Sequence, residues 1–235
     1  LVSDQEVLSS SLTQYSDYMK SAKKSSSKDG AAMVTRVGKK IAAATEQYLR
    51  NNGLESEIKN FAWEFNLVND PQVNAFCMPG GKIVVYEGLM QLVSSDDELA
   101  VVVGHEVAHA VAKHSNERMS QQLMAQYGAQ ILGQALSNKS AAVQKIGASV
   151  YGLGAQYGVM LPFSRKHESE ADYMGLVFMA MAGYNPAVAV NFWQKMSAGK
   201  SGSTPEFMST HPSDATRINE IKQHLPEIEK YRVKK

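Results

Sequence analysis

His105-Glu106-Val107-Ala108-His109 sets two histidines four residues apart, with a glutamate beside the first. Four residues of α-helix turn through about 400°, so the two imidazoles lie about 40° apart on one face and can share a single ion. Tetrahedral zinc takes such nitrogens at about 2.0 to 2.1 Å. The stretch is the HExxH pattern of zinc hydrolases, with Glu106 in the position of the general base. Ser95-Asp96-Asp97-Glu98 has the spacing of a capping box, and Leu99 to Val103 form an apolar run directly before His105. The motif is therefore expected on a helix that enters the core.

Catalytic zinc usually takes three protein ligands and leaves one position for water. Ser164-Arg165-Lys166-His167-Glu168-Ser169-Glu170-Ala171-Asp172 is the region to search for the third. If it is helical, Glu168 and Asp172 share a face at i and i+4, while Glu170 points about 200° away from Glu168. Glu168 can then bind the metal while Asp172 accepts a hydrogen bond from a ligand histidine, which leaves Glu170 as a solvated or salt-bridged acid. His167, about 100° aside, is not expected to be a ligand.

These pieces, with Asn74-Ala75-Phe76, Gly80 to Val85, Gly88-Leu89 and Thr210-His211-Pro212 with Arg217, resemble in their order a gluzincin peptidase family over about residues 30–225. That family includes the CAAX prenyl endopeptidase, the bacterial heat-shock membrane peptidase HtpX and soluble periplasmic members. The resemblance implies zinc, one ion per chain, on His105, His109 and Glu168, in agreement with the helix-face argument. It also implies a place near the metal for His211, as an oxyanion donor or as an occupant of the open position, and Pro212 suggests that this histidine stands at the mouth of a helix. Arg217 reads equally as a helper at the oxyanion or as a structural ion-pair partner. The implied fold is α+β and mainly α, a zincin-like domain with a small antiparallel sheet beside the HExxH helix. Localisation by resemblance is periplasmic or outer-membrane-associated, in some members through a lipid anchor.

The expected chemistry is hydrolysis of peptide bonds by a water that zinc activates and Glu106 deprotonates. Peptide or unfolded protein is the expected substrate, held by adding its backbone to an exposed strand edge around Gly81, Lys82, Ile83 and Val84. One rival is a noncatalytic chaperone or binding protein that keeps the zinc fold. Intact Glu106 speaks against it. Another is a zinc hydrolase of nonpeptide amides.

With 235 residues, 44% hydrophobic and 20% charged, the chain can build one sizeable core. A net charge of +1 without a concentrated basic segment gives no argument for a nucleic-acid partner. The single cysteine, Cys77, permits no internal disulfide and no thiolate zinc cluster, and reads as strand packing. The chain begins at Leu1, which reads as a mature or trimmed form.

Residues 1–29 read as a short helix and a Ser/Lys-rich flexible link, and residues 30–235 as the zincin-like domain. Met33, Val37, Ile41, Ala44 and Tyr48 follow helical spacing up to Gly53. Phe61 to Val68, Asn74 to Met78 and Lys82 to Tyr86 read as strands. Met119 to Asn138 and Ile146 to Ser164 are long uncharged stretches, one broken by five glutamines and the other by Gly147, Gly152, Gly154 and Gly158. They read as buried or lid-forming helices and not as membrane spans, though a peripheral contact with a membrane is compatible with them. His114, rotated about 140° from His109, reads as a helix-end residue or as a neighbour that supports a ligand without being one, His224 as a surface residue, and Trp63 and Trp193 as core.

Overall fold

The computed structural model describes residues 2–127, 141–146, 162–198 and 205–234. In chain order they form helices α1 (Asp4–Ser21) and α2 (Lys28–Asn51), strands β1 (Glu64–Val68), β2 (Ala75–Met78) and β3 (Lys82–Tyr86), and helices α3 (Glu87–Met90), α4 (Asp96–Val111), α5 (His114–Tyr127), α6 (Arg165–Met181), α7 (Ala189–Ala198), α8 (Glu206–Thr210) and α9 (Ala215–Ile228). Residues 141–146 are also helical. The architecture is the expected mainly helical α+β domain.

Helix α4 starts where the sequence predicts. The Ser95 hydroxyl accepts the Glu98 N–H at 3.2 Å, while the Glu98 carboxylate accepts from Ser94, one residue before the position that would close a capping box. From Leu99 to Ala110 every residue of α4 is buried, so the motif lies inside the protein. Helix α6, capped by the Ser164 hydroxyl on His167 N–H, crosses α4 at two glycines. A Cβ on Gly104 would stand 2.7 Å from the Gly175 carbonyl oxygen, and one on Gly175 would stand 2.7 Å from the His105 nitrogen. That backbone contact lets side chains of the two helices converge on one point.

The sheet is mixed, not wholly antiparallel. Its order is β1-β3-β2, with β3 parallel to β1 and antiparallel to β2. Ile83 and Val85 pack with Leu67, Ala75 and Cys77 on the side of α2, α4 and α6, while Val84 and Tyr86 pack with Val68 and Met78 on the side of α1 and α5. A strand apolar on both faces belongs in the middle of a sheet, and β3 takes that place. This overturns the expected substrate edge at Gly81, Lys82, Ile83 and Val84: the β3 backbone is paired on both sides, and Lys82 is buried with its ammonium 2.7 Å from Glu64. Among the described residues the outer side of β2 has no paired strand.

The expected flexible link is pinned. Lys24 bridges Val68, Ser25 N–H donates to the Leu67 carbonyl and Asn69 N–H donates to the Lys23 carbonyl, so residues 23–25 cover the C-terminal end of the outer edge of β1. Helix α1 then lies over the second face of the sheet through Val7 and Tyr15. No helix among the described residues is long and apolar enough to cross a membrane. Most of the two uncharged stretches, residues 128–138 and 147–161, lies outside the described residues.

Candidate metal centre

Helices α4 and α6 and the turn after α8 bring His105, His109, Glu168 and His211 together, all buried, with one potential ligand atom from each within 4.8 Å of the others. His105 Nε2 and His109 Nε2 are 3.1 Å apart, and they stand 3.1 and 2.9 Å from the Glu168 carboxylate oxygens. Ligands about 2.0 to 2.1 Å from one tetrahedral ion stand about 3.3 Å from each other. The three side chains are thus spaced as ligands of one ion. Both oxygens of Glu168, Oε1 of Glu106 and Nε2 of His211 lack an aligned hydrogen-bond partner although they are buried. Four such acceptor atoms, on three side chains around one point, fit a divalent cation, and the mixed imidazole and carboxylate set suits zinc.

The electrostatics agree. Burial lowers the pKa of His105, yet Glu168 and Asp172 outweigh it and raise the value to about 10, while burial keeps His109 well below the usual imidazole range. Desolvation would raise Glu168, but the charges of His211 and His105 hold it well below the carboxylate range. The cluster attracts positive charge.

Around this point the helix faces sort the acids as the sequence predicts. Asp172 Oδ1 lies 3.0 Å from His105 Nδ1, one turn from Glu168, whereas Glu170 faces outward. Arg217 is an ion-pair partner, not a group aimed at the open side: its Nε and Nη2 donate to the two Asp172 oxygens at 2.8 and 2.7 Å, and Nη1 stands 3.1 Å from Glu168. The same Nη1 donates to the Pro212 carbonyl at 2.6 Å. His211 faces Glu106, Nε2 to Oε1, at 2.8 Å.

Pro212 does not open a helix. His211 ends α8, and α9 begins later, where the Asp214 carboxylate accepts the Arg217 N–H. A proline disfavours helical backbone in the residue before it, and His211 has φ −126° and ψ 70°. Pro212 thus stops one helix instead of starting another.

Aromatic rings wall the centre. Phe163 stacks on His109 with centroids 3.8 Å apart, Phe207 stacks on His211 at 4.1 Å, and Trp193 meets His105 edge-on at 5.3 Å. Arg118 covers the outer face of Phe163. The sequence singled out neither phenylalanine, because a ring that packs on an imidazole has the same local pattern as one that packs on leucine. Of the two readings of His114, the structure favours the neighbour of His109: the two Nδ1 atoms lie 2.9 Å apart. Lys113 has φ 59°, a left-handed turn that breaks the helix and returns the His114 ring to His109. His224 is exposed and Trp193 is core, as expected.

Two histidines and a glutamate from crossed helices, with a glutamate poised beside them, define the class: a zinc metallopeptidase domain of the HExxH type. The model of peptidase family M48 matches residues 35–225, and the chain belongs to that family. It is 36% identical over 205 residues to the mitochondrial metalloendopeptidase OMA1 of Schizosaccharomyces pombe, an alignment covering 83% of this chain and 53% of that protein. It is 40% identical over 168 residues to the OMA1 protein of Arabidopsis thaliana, with 72% and 33% covered. To the beta-barrel assembly-enhancing protease of Yersinia pestis it is 33% identical over 174 residues, with 69% and 36% covered. The chain spans about half or less of the length of these curated relatives.

Proposed function

We propose that this chain is the catalytic domain of a zinc-dependent endopeptidase in which His105, His109 and Glu168 hold one ion and Glu106 is the general base. The convergence of these buried, unaligned acceptors on one point carries the reading. Bound zinc supplies a Lewis acid that makes water acidic and polarises a peptide carbonyl. Glu106, one residue from the first ligand, takes the proton of the attacking water on its carboxylate and delivers it to the leaving amine nitrogen. Asp172 orients His105, Arg217 holds Asp172 and Glu168 in place, and Phe163 and Phe207 keep bulk water from the imidazoles they cover. The outer side of β2, packed against α4, is the strand edge on which an extended substrate would pair. Elemental analysis tests the ligand set: alanine at His105, His109 or Glu168 is expected to remove most of the zinc, and Glu170→Ala to leave the ion bound. Full zinc in Glu168→Ala together with loss in Glu170→Ala would reverse the assignment.

His211 acts in this reading as a latch. In the observed arrangement it faces the very oxygen of Glu106 that must receive a proton, and its Nε2 belongs to the ligand cluster. His211→Ala is expected to raise turnover of a short peptide with zinc content unchanged. A fall of roughly ten- to a thousandfold would make the ring an oxyanion donor instead.

Protein quality control in a bacterial envelope, at a periplasmic or outer-membrane-associated location, is the biological role we favour within family M48. It is supported by the likeness to a protease named for β-barrel assembly, while other relatives are named as mitochondrial. Fractionation of the native protein, with detection in the envelope or elsewhere, decides the location.

A further inference from the structure

Glu170, the acid that faces away from the cluster, is joined to it through His114. His109 Nδ1 lies 2.9 Å from His114 Nδ1, and His114 Nε2 lies 2.8 Å from a Glu170 carboxylate oxygen. The His114 side chain is buried and that of Glu170 is 46% exposed, so this line runs from the metal centre to the surface. We infer that His114 and Glu170 are positioning residues for the ligand His109, a link of carboxylate, imidazole and ligand imidazole that sets the metal affinity of the site. The inference rests on His105, His109 and Glu168 being the zinc ligands.

One arrangement of protons satisfies every contact. A histidine that gives its Nε2 lone pair to a metal carries its proton on Nδ1 and donates from there. His114 Nδ1 must then accept, so a neutral His114 carries its proton on Nε2, where the Glu170 carboxylate accepts it. The His114 ring cannot turn freely: it stacks on His167 with centroids 4.3 Å apart and planes 18° apart, and His167 is itself bound at 2.7 Å to Glu117. The backbone is committed as well. Lys113 holds its left-handed conformation, costly for a residue with a side chain, under ion pairs to Asp4 and Glu57. The two ligand histidines thus end on different supports. His105 faces Asp172 directly, and Arg217 grips that acid in the interior; His109 reaches Glu170 at the surface through a second imidazole.

Partners of metal-ligating histidines typically affect affinity by about 10- to 100-fold. His114→Phe keeps a ring on His167 and removes the acceptor, and it is expected to weaken zinc binding by about that factor in a titration of zinc alone against a competing chelator. Glu170→Ala, on the surface, is expected to weaken it less, and the double variant to match His114→Phe, because both changes break one chain of contacts. Thermal unfolding of the metal-free variants checks that they fold. Imidazole nitrogen NMR of the zinc-loaded parent should show the proton of His109 on Nδ1 and that of His114 on Nε2, which a purely structural role for His114 would not require. Unchanged zinc affinity in both single variants, or the opposite tautomer at His114, overturns the inference. If Glu168→Ala also keeps its zinc, the ligand assignment has failed; if it loses zinc while His114→Phe does not, only the present inference has.

Discussion

Glu106→Gln is expected to lose peptide cleavage by about 10²- to 10⁴-fold, the range supplied by a positioned general base, with zinc retained and the fold intact. The amide keeps the shape of the carboxylate and its place on α4, but it cannot take a proton from water at neutral pH. Glu106 is buried and stands outside the trio of side chains spaced as ligands of one ion, so the ion should not depend on its charge. The measurement is a time course on a peptide library, beside zinc analysis and an unfolding curve for the same preparation. Cleavage at the parent rate would remove Glu106 from the role of base. A parent protein that binds zinc and extended peptides but cuts none would support the rival class, a zinc-fold chaperone.

Arg217→Met should produce the largest loss of stability. The guanidinium is 2% exposed, and its partners Glu168 and Asp172 are buried acids, so methionine leaves two carboxylates without the cation that faces them. Removing one member of a buried ion pair typically costs about 3–5 kcal/mol. The loss is expected to be greater in chelator than in excess zinc, because a bound ion still compensates Glu168 when the arginine is gone. Denaturant unfolding in the two conditions measures it. Equal losses with and without zinc would show that Arg217 acts through Asp172 and the Pro212 carbonyl and not through the charge of Glu168.

How much of this was legible in the chain depends on how local each contact is. The HExxH pair, and the choice of Glu168 with Asp172 over Glu170, follow from the angle between residues on one helix, which the sequence carries in full. Helix α4 was visible for the same reason: a cap and an apolar run lie next to each other. The strands were also found, since period and turn residues are local, but their order was not. The run Ile83-Val84-Val85 shows a strand buried on both faces, and only its insertion between β1 and β2 closed the edge assigned to the substrate.

Contacts between distant residues needed the tertiary structure. Nothing near Arg217 in sequence says that it will meet Asp172, because the pair exists only once α9 packs on α6. His211 was near the metal by resemblance, yet its helix-mouth placement failed, because Asp214 caps α9 and Pro212 restricts the backbone before it. His114 shows the limit most clearly. Helical geometry extended through residue 114 turns it away from His109, but Lys113 adopts a left-handed conformation that no glycine announces, held by ion pairs to residues 109 and 56 positions away. The sequence by itself determined which side chains of α4 and α6 share a face, through angles within single helices; the tertiary structure decided that they converge and what holds them, because long-range packing sets the backbone there against its local preference.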